Sequence, residues 1–273
     1  MSFLRRMIEN NQKNSSLPNC AVDTSGASPS QSLLLGQFVE TYEQLQGQPE
    51  AAACLVIGTP EGLQVEWRHG TAKSLHLHID IKSFVRMQRS FPAPRQTGFN
   101  QALGRRSRRI VDATGGWGTD ALRMCAQGLD VTIIERHPLM GLLLTDAMQR
   151  LSATDWAERN RVAIPRVVIG DSITTLQSME AQADCVYLDP MYPLRRKGTA
   201  AVNKYMQFLQ WLVGPDGDAA QLLTAALQVC KRVAVKRPDA ASPIQANPDT
   251  AFSSKLVHYD VYLTRDNSPP DSQ

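Results

Sequence analysis

The second half of the sequence predicts an α/β fold, a mostly parallel sheet covered by helices on both faces, and three observations predict it. From Arg108 onward, short apolar runs alternate with longer segments in a strand, loop, helix rhythm. A glycine cluster, Gly115-Gly116-Trp117-Gly118, separates the first apolar run from the helix that follows it. Three later runs each end on an acidic residue: Glu135, Asp171 and Asp189. In sheets of this kind the ligand lies at the carboxyl ends of the strands.

Taken in order, Ile110-Val111 enters the first strand, and Thr119 to Gln127 reads as a helix stopped by Gly128. Asp130 to Ile134 is a second strand ending in Glu135-Arg136, and Pro138 then starts a helix running to about Leu151. Val167 to Ile169 and Cys185 to Leu188 are the third and fourth strands, ending at Asp171-Ser172 and at Asp189-Pro190-Met191-Tyr192. A helix over roughly Ala219 to Val229 precedes a fifth strand at Val233 to Val235. Lys255 to Leu263 is β-like and supplies a closing antiparallel pair.

Upstream the pattern differs. Residues 1–32 are polar and rich in Ser and Asn beyond Asn10, and read as a flexible leader; residues 33–104 read as a small N-terminal α/β-rich subdomain, and 105–273 as the main domain. Within the subdomain, Leu33 to Leu45 suits a short helix. Ala53 to Ile57 and Leu63 to Arg68 flank the turn-forming Thr59-Pro60-Glu61-Gly62, which predicts a hairpin. Leu75, Leu77, Ile79 and Ile81 alternate with polar residues, the period of a half-buried strand. His76 and His78 share one face of that strand, but no third ligand is spaced to join them, and the polar face of an amphipathic strand accounts for both.

The composition bounds the function. The 273 residues are 42% hydrophobic and 20% charged, ordinary for a globular protein. No apolar run approaches the ~20 residues that span a bilayer, and the N-terminus lacks the apolar stretch of a secretory signal, so a cytoplasmic protein is expected. Five scattered cysteines with no Cys-x-x-Cys spacing argue against a disulfide framework or a zinc cluster, and no metal is expected. Net charge is only +3, but basic residues cluster at Arg105, Arg106, Arg108 and Arg109, at Arg195, Arg196 and Lys197, and at Lys231, Arg232, Lys236 and Arg237. Each cluster suits either a solvated strand or loop end or a contact to phosphates.

The chemistry lies at the strand ends. Gly116 and Gly118 let the backbone turn tightly and approach a cofactor, which would serve NAD, FAD or S-adenosylmethionine (SAM) alike. Glu135 stands 19 positions beyond Gly116, the spacing at which a carboxylate accepts from ribose hydroxyls. Asp171 and Ser172 are placed to meet an adenine edge, and Asp120 the amino acid end of the ligand; either aspartate serves equally well as a helix cap or first-turn acid. The tetrad Asp189-Pro190-Met191-Tyr192 resembles the Asp/Asn-Pro-Pro-Tyr/Phe signature of methyltransferases acting on planar amino groups, and it falls at the fourth strand's end. There an aspartate oxygen and a backbone carbonyl can both accept from an NH2 group and aim it at a methyl donor, with Tyr192 stacked on the base.

A closer resemblance follows from Val111 to Gly118, Val186 to Pro193, Leu212 to Asp216 and Val235 to Pro238. Together these motifs look like the ribosomal RNA small subunit methyltransferase J family, from about Ile110 to Leu263. The resemblance implies a Rossmann-like class I SAM-dependent methyltransferase with a seven-stranded, mostly parallel sheet, acting on N2 of a guanine in 16S ribosomal RNA. It implies a cofactor site at Gly116, Gly118, Thr119, Asp120, Glu135, Arg136, Asp171, Ser172 and Asp189, with Asp189, Pro190 and Tyr192 in catalysis. The family usually carries Arg where this chain has Thr119, so a contact there would fall to the backbone. The partner implied is 16S rRNA or the small ribosomal subunit. The rivals are an amino-methyltransferase acting on DNA adenine or a protein amide, and a catalytically silent RNA-binding or ribosome assembly protein.

Overall fold

The computed structural model describes residues 20–41, 53–68, 74–88, 97–179, 182–192, 203–214, 216–254 and 256–264. A small sheet comes first. Strand β1 (Cys20–Asp23) runs parallel to β2 (Cys54–Thr59), which turns into β3 (Gly62–Trp67) and then β4 (Leu75–His78), both antiparallel to their predecessors. Helix α1 (Pro29–Thr41) joins the first two strands, and α2 (Ile81–Gln88) and α3 (Gly98–Leu103) follow the sheet.

The large sheet is ordered β10-β11-β9-β8-β5-β6-β7. Its strands are β5 (Arg109–Asp112), β6 (Asp130–Glu135), β7 (Arg166–Ile169), β8 (Cys185–Leu188), β9 (Arg232–Pro238), β10 (Thr250–Ser253) and β11 (Val257–Leu263). β5 to β9 are mutually parallel, and β10 and β11 close the sheet antiparallel. The helices between them are α4 (Thr119–Cys125), α5 (Pro138–Ser152), α6 (Trp156–Asn160), α7 (Ser172–Ser178), α8 (Lys204–Val213) and α9 (Ala219–Val229). The chain builds outward from β5 through β6 to β7, then returns to lay β8 on β5's other side. Loops leaving β5 and β8 therefore diverge, and the crevice at this switch point is where an open α/β sheet binds its ligand.

The seven mostly parallel strands and the hairpin about Pro60 and Glu61 stand as the sequence predicts. Three readings change. Part of the expected leader is structured, because Cys20 and Ala21 are buried against β2 and α1 already begins at Pro29; residues 1–19 lie outside the described residues. The alternation through Lys82 stops being a strand at His78, since Ile81 and Phe84 fall on one face of α2 and are buried there. Helices α2, α3, α6, α7 and α8 are additions to the sequence reading. No helix among the described residues is long and apolar enough to cross a membrane.

Helix α5 holds the two sheets together. Pro138 opens it at a position where a missing N–H costs nothing, and eleven of its fifteen residues are buried, including Leu139, Leu143, Leu144, Ala147 and Leu151. A helix apolar all round is a core helix; one continuous hydrophobic cluster runs from Val65 and Leu77 of the small sheet through α5 to Ile133 of the large one. Its single buried acid is used. Asp146 accepts from Leu63 N at 3.0 Å and from Arg150 Nε at 2.7 Å, while Arg150 Nη2 donates to Ile79 O at 3.0 Å. A second link is aromatic: Trp67 of β3 packs edge-on to Phe208 of α8, whose ring lies 5.8 Å from Trp117 in the glycine loop.

Asp146→Ala leaves the Leu63 N–H and the Arg150 guanidinium without their acceptor in a buried place. We expect a loss of about 3 kcal/mol in urea unfolding. A loss below about 1 kcal/mol would mean that the two sheets are held by apolar packing alone.

Candidate active site

The loop after β5 is shaped by two glycines. Gly116 sits at φ +51°, which turns its N–H onto Glu135 Oε2 at 2.7 Å. Gly118, at φ +70°, occupies the N-cap of α4, and a Cβ there would lie 2.7 Å from Leu144 Cδ2. Both positive φ values favour glycine. Glu135, at the end of β6, is 6% exposed and also accepts from His137 N through Oε1 at 2.7 Å. Burial raises its pKa, opposed by the two backbone donors. Each carboxylate oxygen keeps a further lone pair for a ligand.

Asp171 and Ser172 end β7's loop and start α7. Asp171 Oδ1 accepts from Thr174 N and Thr174 Oγ1, both at 2.8 Å, so it is a cap. Its second oxygen is unpartnered among the described residues, so capping and ligand contact coexist in one side chain. Ser172 Oγ donates to Ala113 O at 2.7 Å and ties this loop to the one after β5.

The end of β8 carries Asp189. Its N–H donates to Thr114 Oγ1 at 2.7 Å, and its Oδ2 accepts from Lys236 Nζ at 2.8 Å. Lys236, on β9, makes a second 2.8 Å bond to Asp120 Oδ2, an atom that also takes the Tyr187 hydroxyl at 2.7 Å. Enclosure at the strand end raises the Asp189 pKa while Lys236 lowers it. With 38% of the side chain exposed and an ammonium in contact, we assign Asp189 as a carboxylate at neutral pH. Burial works against the charge on Lys236, but Asp189 and Asp120 outweigh it and hold the ammonium protonated.

Ala113, Thr114, Gly116, Glu135, Arg136, Asp171, Ser172, Asp189 and Pro190 share the wall of one cleft of about 630 Å³, counted to where it opens to solvent. Met191, Leu209, Val213, Asp216 and Asp218 close the far side. The four strand-end residues Gly116, Glu135, Asp171 and Asp189 thus converge. Arg136 lies on the wall but is not solvated: it pairs with Asp216 and, at 2.9 Å, with Asp218. Asp216 in turn accepts from Met191 N at 2.6 Å, which holds the tetrad loop.

Gly118, Thr119, Asp120 and Tyr192 are not on this wall among the described residues. Thr119 is exposed in the first turn of α4, and Asp120 turns inward to Tyr187 and Lys236 instead of capping the helix. The Tyr192 hydroxyl is buried without a hydrogen-bond partner, and its pKa is raised by burial and by Asp260. It therefore points toward β11 and away from a stacking position over the cleft.

Sequence reasoning missed four members of the site. Asp112 is 2% exposed at the end of β5, and burial pushes its pKa up to about 7. Thr114, Asp216 and Lys236 carry no spacing signal, although Asp216 and Lys236 both fall inside the quoted family motifs. The basic clusters also separate. Lys236 and Arg237 are internal, Arg237 pairing with the fully buried Asp260, and Arg232 donates to the Ala102 and Gln101 carbonyls. Arg105, Arg106, Arg108 and Arg109 are exposed at the amino end of β5, across the sheet from the cleft. Arg195, Arg196 and Lys197 lie outside the described residues.

Charge states what the cleft can hold. Its wall carries five acids, Glu135, Asp171, Asp189, Asp216 and Asp218, against one arginine already paired to two of them. Such a field repels a dinucleotide pyrophosphate and suits a nucleoside ligand that carries positive charge. Comparison with known proteins agrees. The family model "Putative SAM-dependent methyltransferase" matches residues 38–264. A protein of Coxiella burnetii (strain RSA 493 / Nine Mile phase I), named ribosomal RNA small subunit methyltransferase J, is 36% identical over 220 residues, 78% of this chain and 85% of its own length. One of the same name from Legionella pneumophila strain Philadelphia 1 is 34% identical over 239 residues, 85% and 92%. The fold matches the crystal structure of a SAM-dependent methyltransferase from Neisseria gonorrhoeae with a TM-score of 0.67 at 22% identity, covering 93% of this chain and 99% of that one. With a switch-point cleft of the right charge and relatives aligned over most of its length, the chain belongs to the ribosomal RNA small subunit methyltransferase J family of SAM-dependent methyltransferases.

Proposed function

We propose that the protein methylates the exocyclic N2 of a guanine in 16S ribosomal RNA, as naked RNA or within the small subunit, in the cytoplasm. The observation that carries this reading is Asp189 standing on the wall of an acidic switch-point cleft, followed by Pro190 and Met191. When bound, SAM supplies an electrophilic methyl on a sulfonium. Glu135 accepts from the ribose hydroxyls, and Asp171 and Ser172 bound the adenine end. Gly116 provides a backbone surface that a side chain would obstruct, and the acidic wall favours the cation. Asp120 acts from behind the wall, through Lys236.

The guanine N2 is a poor nucleophile because its lone pair is delocalised into the ring. The protein must therefore align the amino group and stabilise the positive charge that develops on it. Asp189 Oδ1, free of partners among the described residues, and the Pro190 carbonyl are the acceptors that do so. The base reaches them from a loop or after leaving its stack.

The test is methyl transfer from labelled SAM to 16S rRNA, to small subunits, to DNA and to protein, with mapping of methylated guanines in 16S rRNA from cells with and without the gene. A guanine lost from the map in the deletion strain is the expected result. Label entering DNA or protein alone would replace this reading with an adenine or amide methyltransferase, and no label anywhere would leave a silent assembly protein.

Two variants probe the roles separately. Glu135→Ala removes the ribose acceptor and the anchor of the glycine loop, and calorimetry should show SAM bound at least about tenfold more weakly, the effect of a lost contact of ~1.4 kcal/mol. An unchanged affinity in the folded variant would remove Glu135 from the cofactor site. Asp189→Ala should reduce single-turnover methylation of 16S rRNA by at least ~100-fold at saturating SAM, the typical cost of one well-placed electrostatic contact. Asp189→Asn keeps an acceptor oxygen and should fall between the two; near-normal rates for Asp189→Ala would refute its role.

A further inference from the structure

Lys236 is half-buried at the third strand from the sheet's closing edge, and its three contacts with the site are short. Its Nζ bridges Asp189 Oδ2 and Asp120 Oδ2, each at 2.8 Å, and so joins β9 to the tetrad loop and to the first turn of α4. The Tyr187 hydroxyl donates 2.7 Å to the same Asp120 oxygen, so Asp120 is itself fixed from a second direction. Asp189 is fixed from two sides as well, its backbone by Thr114 and its carboxylate by Lys236.

We propose that Lys236 is a positioning residue for methyl transfer, holding Asp189 ionised with one oxygen locked and the other turned free for the substrate amine. This rests on the reading of Asp189 as the amine acceptor. The groups that face Asp189 leave no other cation for the task. From β5 comes Asp112, from α4 Asp120, from β8 Tyr187, from the tetrad loop Tyr192, and from β11 Tyr259. All are acids, and every charge they can carry raises the cost of a second negative charge on Asp189. Lys236 offsets that repulsion, and the Asp120, Lys236 and Asp189 trio keeps a net charge of −1, which still favours a cationic ligand. A base role for Lys236 is excluded, because its two carboxylates hold the ammonium protonated. Arg136, the cleft's other cation, is occupied by Asp216 and Asp218.

The test uses the full chain and two readouts. Carboxyl carbon NMR of the protein without SAM or RNA follows the titration of Asp189, its signal identified by its loss in Asp189→Asn. In Lys236→Met, which keeps the length of the side chain but not its charge, the Asp189 midpoint should rise by at least about one pH unit, the usual effect of removing a contacting opposite charge. Lys236→Arg should leave it near the wild-type value. The acid limb of the single-turnover pH profile for 16S rRNA methylation should rise by the same amount, giving Lys236→Met a rate deficit of tenfold or more near neutrality that narrows at higher pH. An unmoved midpoint in folded Lys236→Met overturns the proposal, and so does a moved midpoint with an unchanged rate profile. Should the Met variant fail to fold, Lys236→Gln carries the same measurements. If wild-type protein transfers no methyl to 16S rRNA while the midpoint still moves, the substrate reading fails and the hold of Lys236 on Asp189 stands.

Discussion

Four carboxylates brought to one edge of a parallel sheet are the constraint to which the rest of the site responds. Asp112, Glu135 and Asp189 end strands that run side by side, and Asp120 follows one turn into α4. Left alone in a place shielded from water they would repel one another and take up protons. Each is instead given a different answer. Glu135 is held by two backbone N–H groups, Asp120 and Asp189 share Lys236, and Asp112, with only the Thr114 N–H near it, is pushed up to about 7. The result is an edge with surplus negative charge that is nonetheless ordered, which is what binding a sulfonium in front of a neutral amine requires.

The small sheet takes part in this order. Trp117 lies inside the glycine loop, and its Nε1 donates to Tyr205 O of α8 at 3.0 Å. Phe208 of the same helix packs on Trp67 of β3, and Leu209 and Val213 reach the cleft wall. Rigid aromatic contacts therefore run from the small sheet through α8 to the cofactor loop, and α5 supplies the apolar floor beneath them. A catalytic loop built mostly of glycine has little stiffness of its own; here packing on both sides provides it.

How much of this the sequence displays depends on what each feature rests on. The parallel strands are apolar runs punctuated by glycine or acid, and their order and ends are legible because a buried strand has few other ways to look. The convergence of Gly116, Glu135, Asp171 and Asp189 follows from the strand ends alone. Helices α3 and α8 are not legible, because α3 is only six residues long and α8 is amphipathic about aromatic side chains whose partners lie far away in the chain. Lys236 shows the limit most clearly. In sequence it belongs to a run with Lys231, Arg232 and Arg237 that looks like a phosphate-binding patch. On β9 alternate residues face opposite sides, so Lys236 turns to Asp189 and Arg237 to the buried Asp260. Tyr192 errs in the same direction: adjacency to Asp189 in sequence does not bring its ring over the cleft.

That redistribution of basic residues changes how the RNA must be met. A substrate phosphate near the cleft finds acids on its wall and no unpaired cation among the described residues there. The exposed arginines from Arg105 to Arg109 lie at the opposite ends of the strands. Counterion release scales with the phosphates a protein contacts, so an acidic mouth contributes little affinity and selects instead for a base presented on its own, with its phosphates held at a distance. Affinity for the RNA and selection of the base are thus assigned to different surfaces, and the acidity that favours a sulfonium in the cleft also keeps the polyanion's backbone out of it.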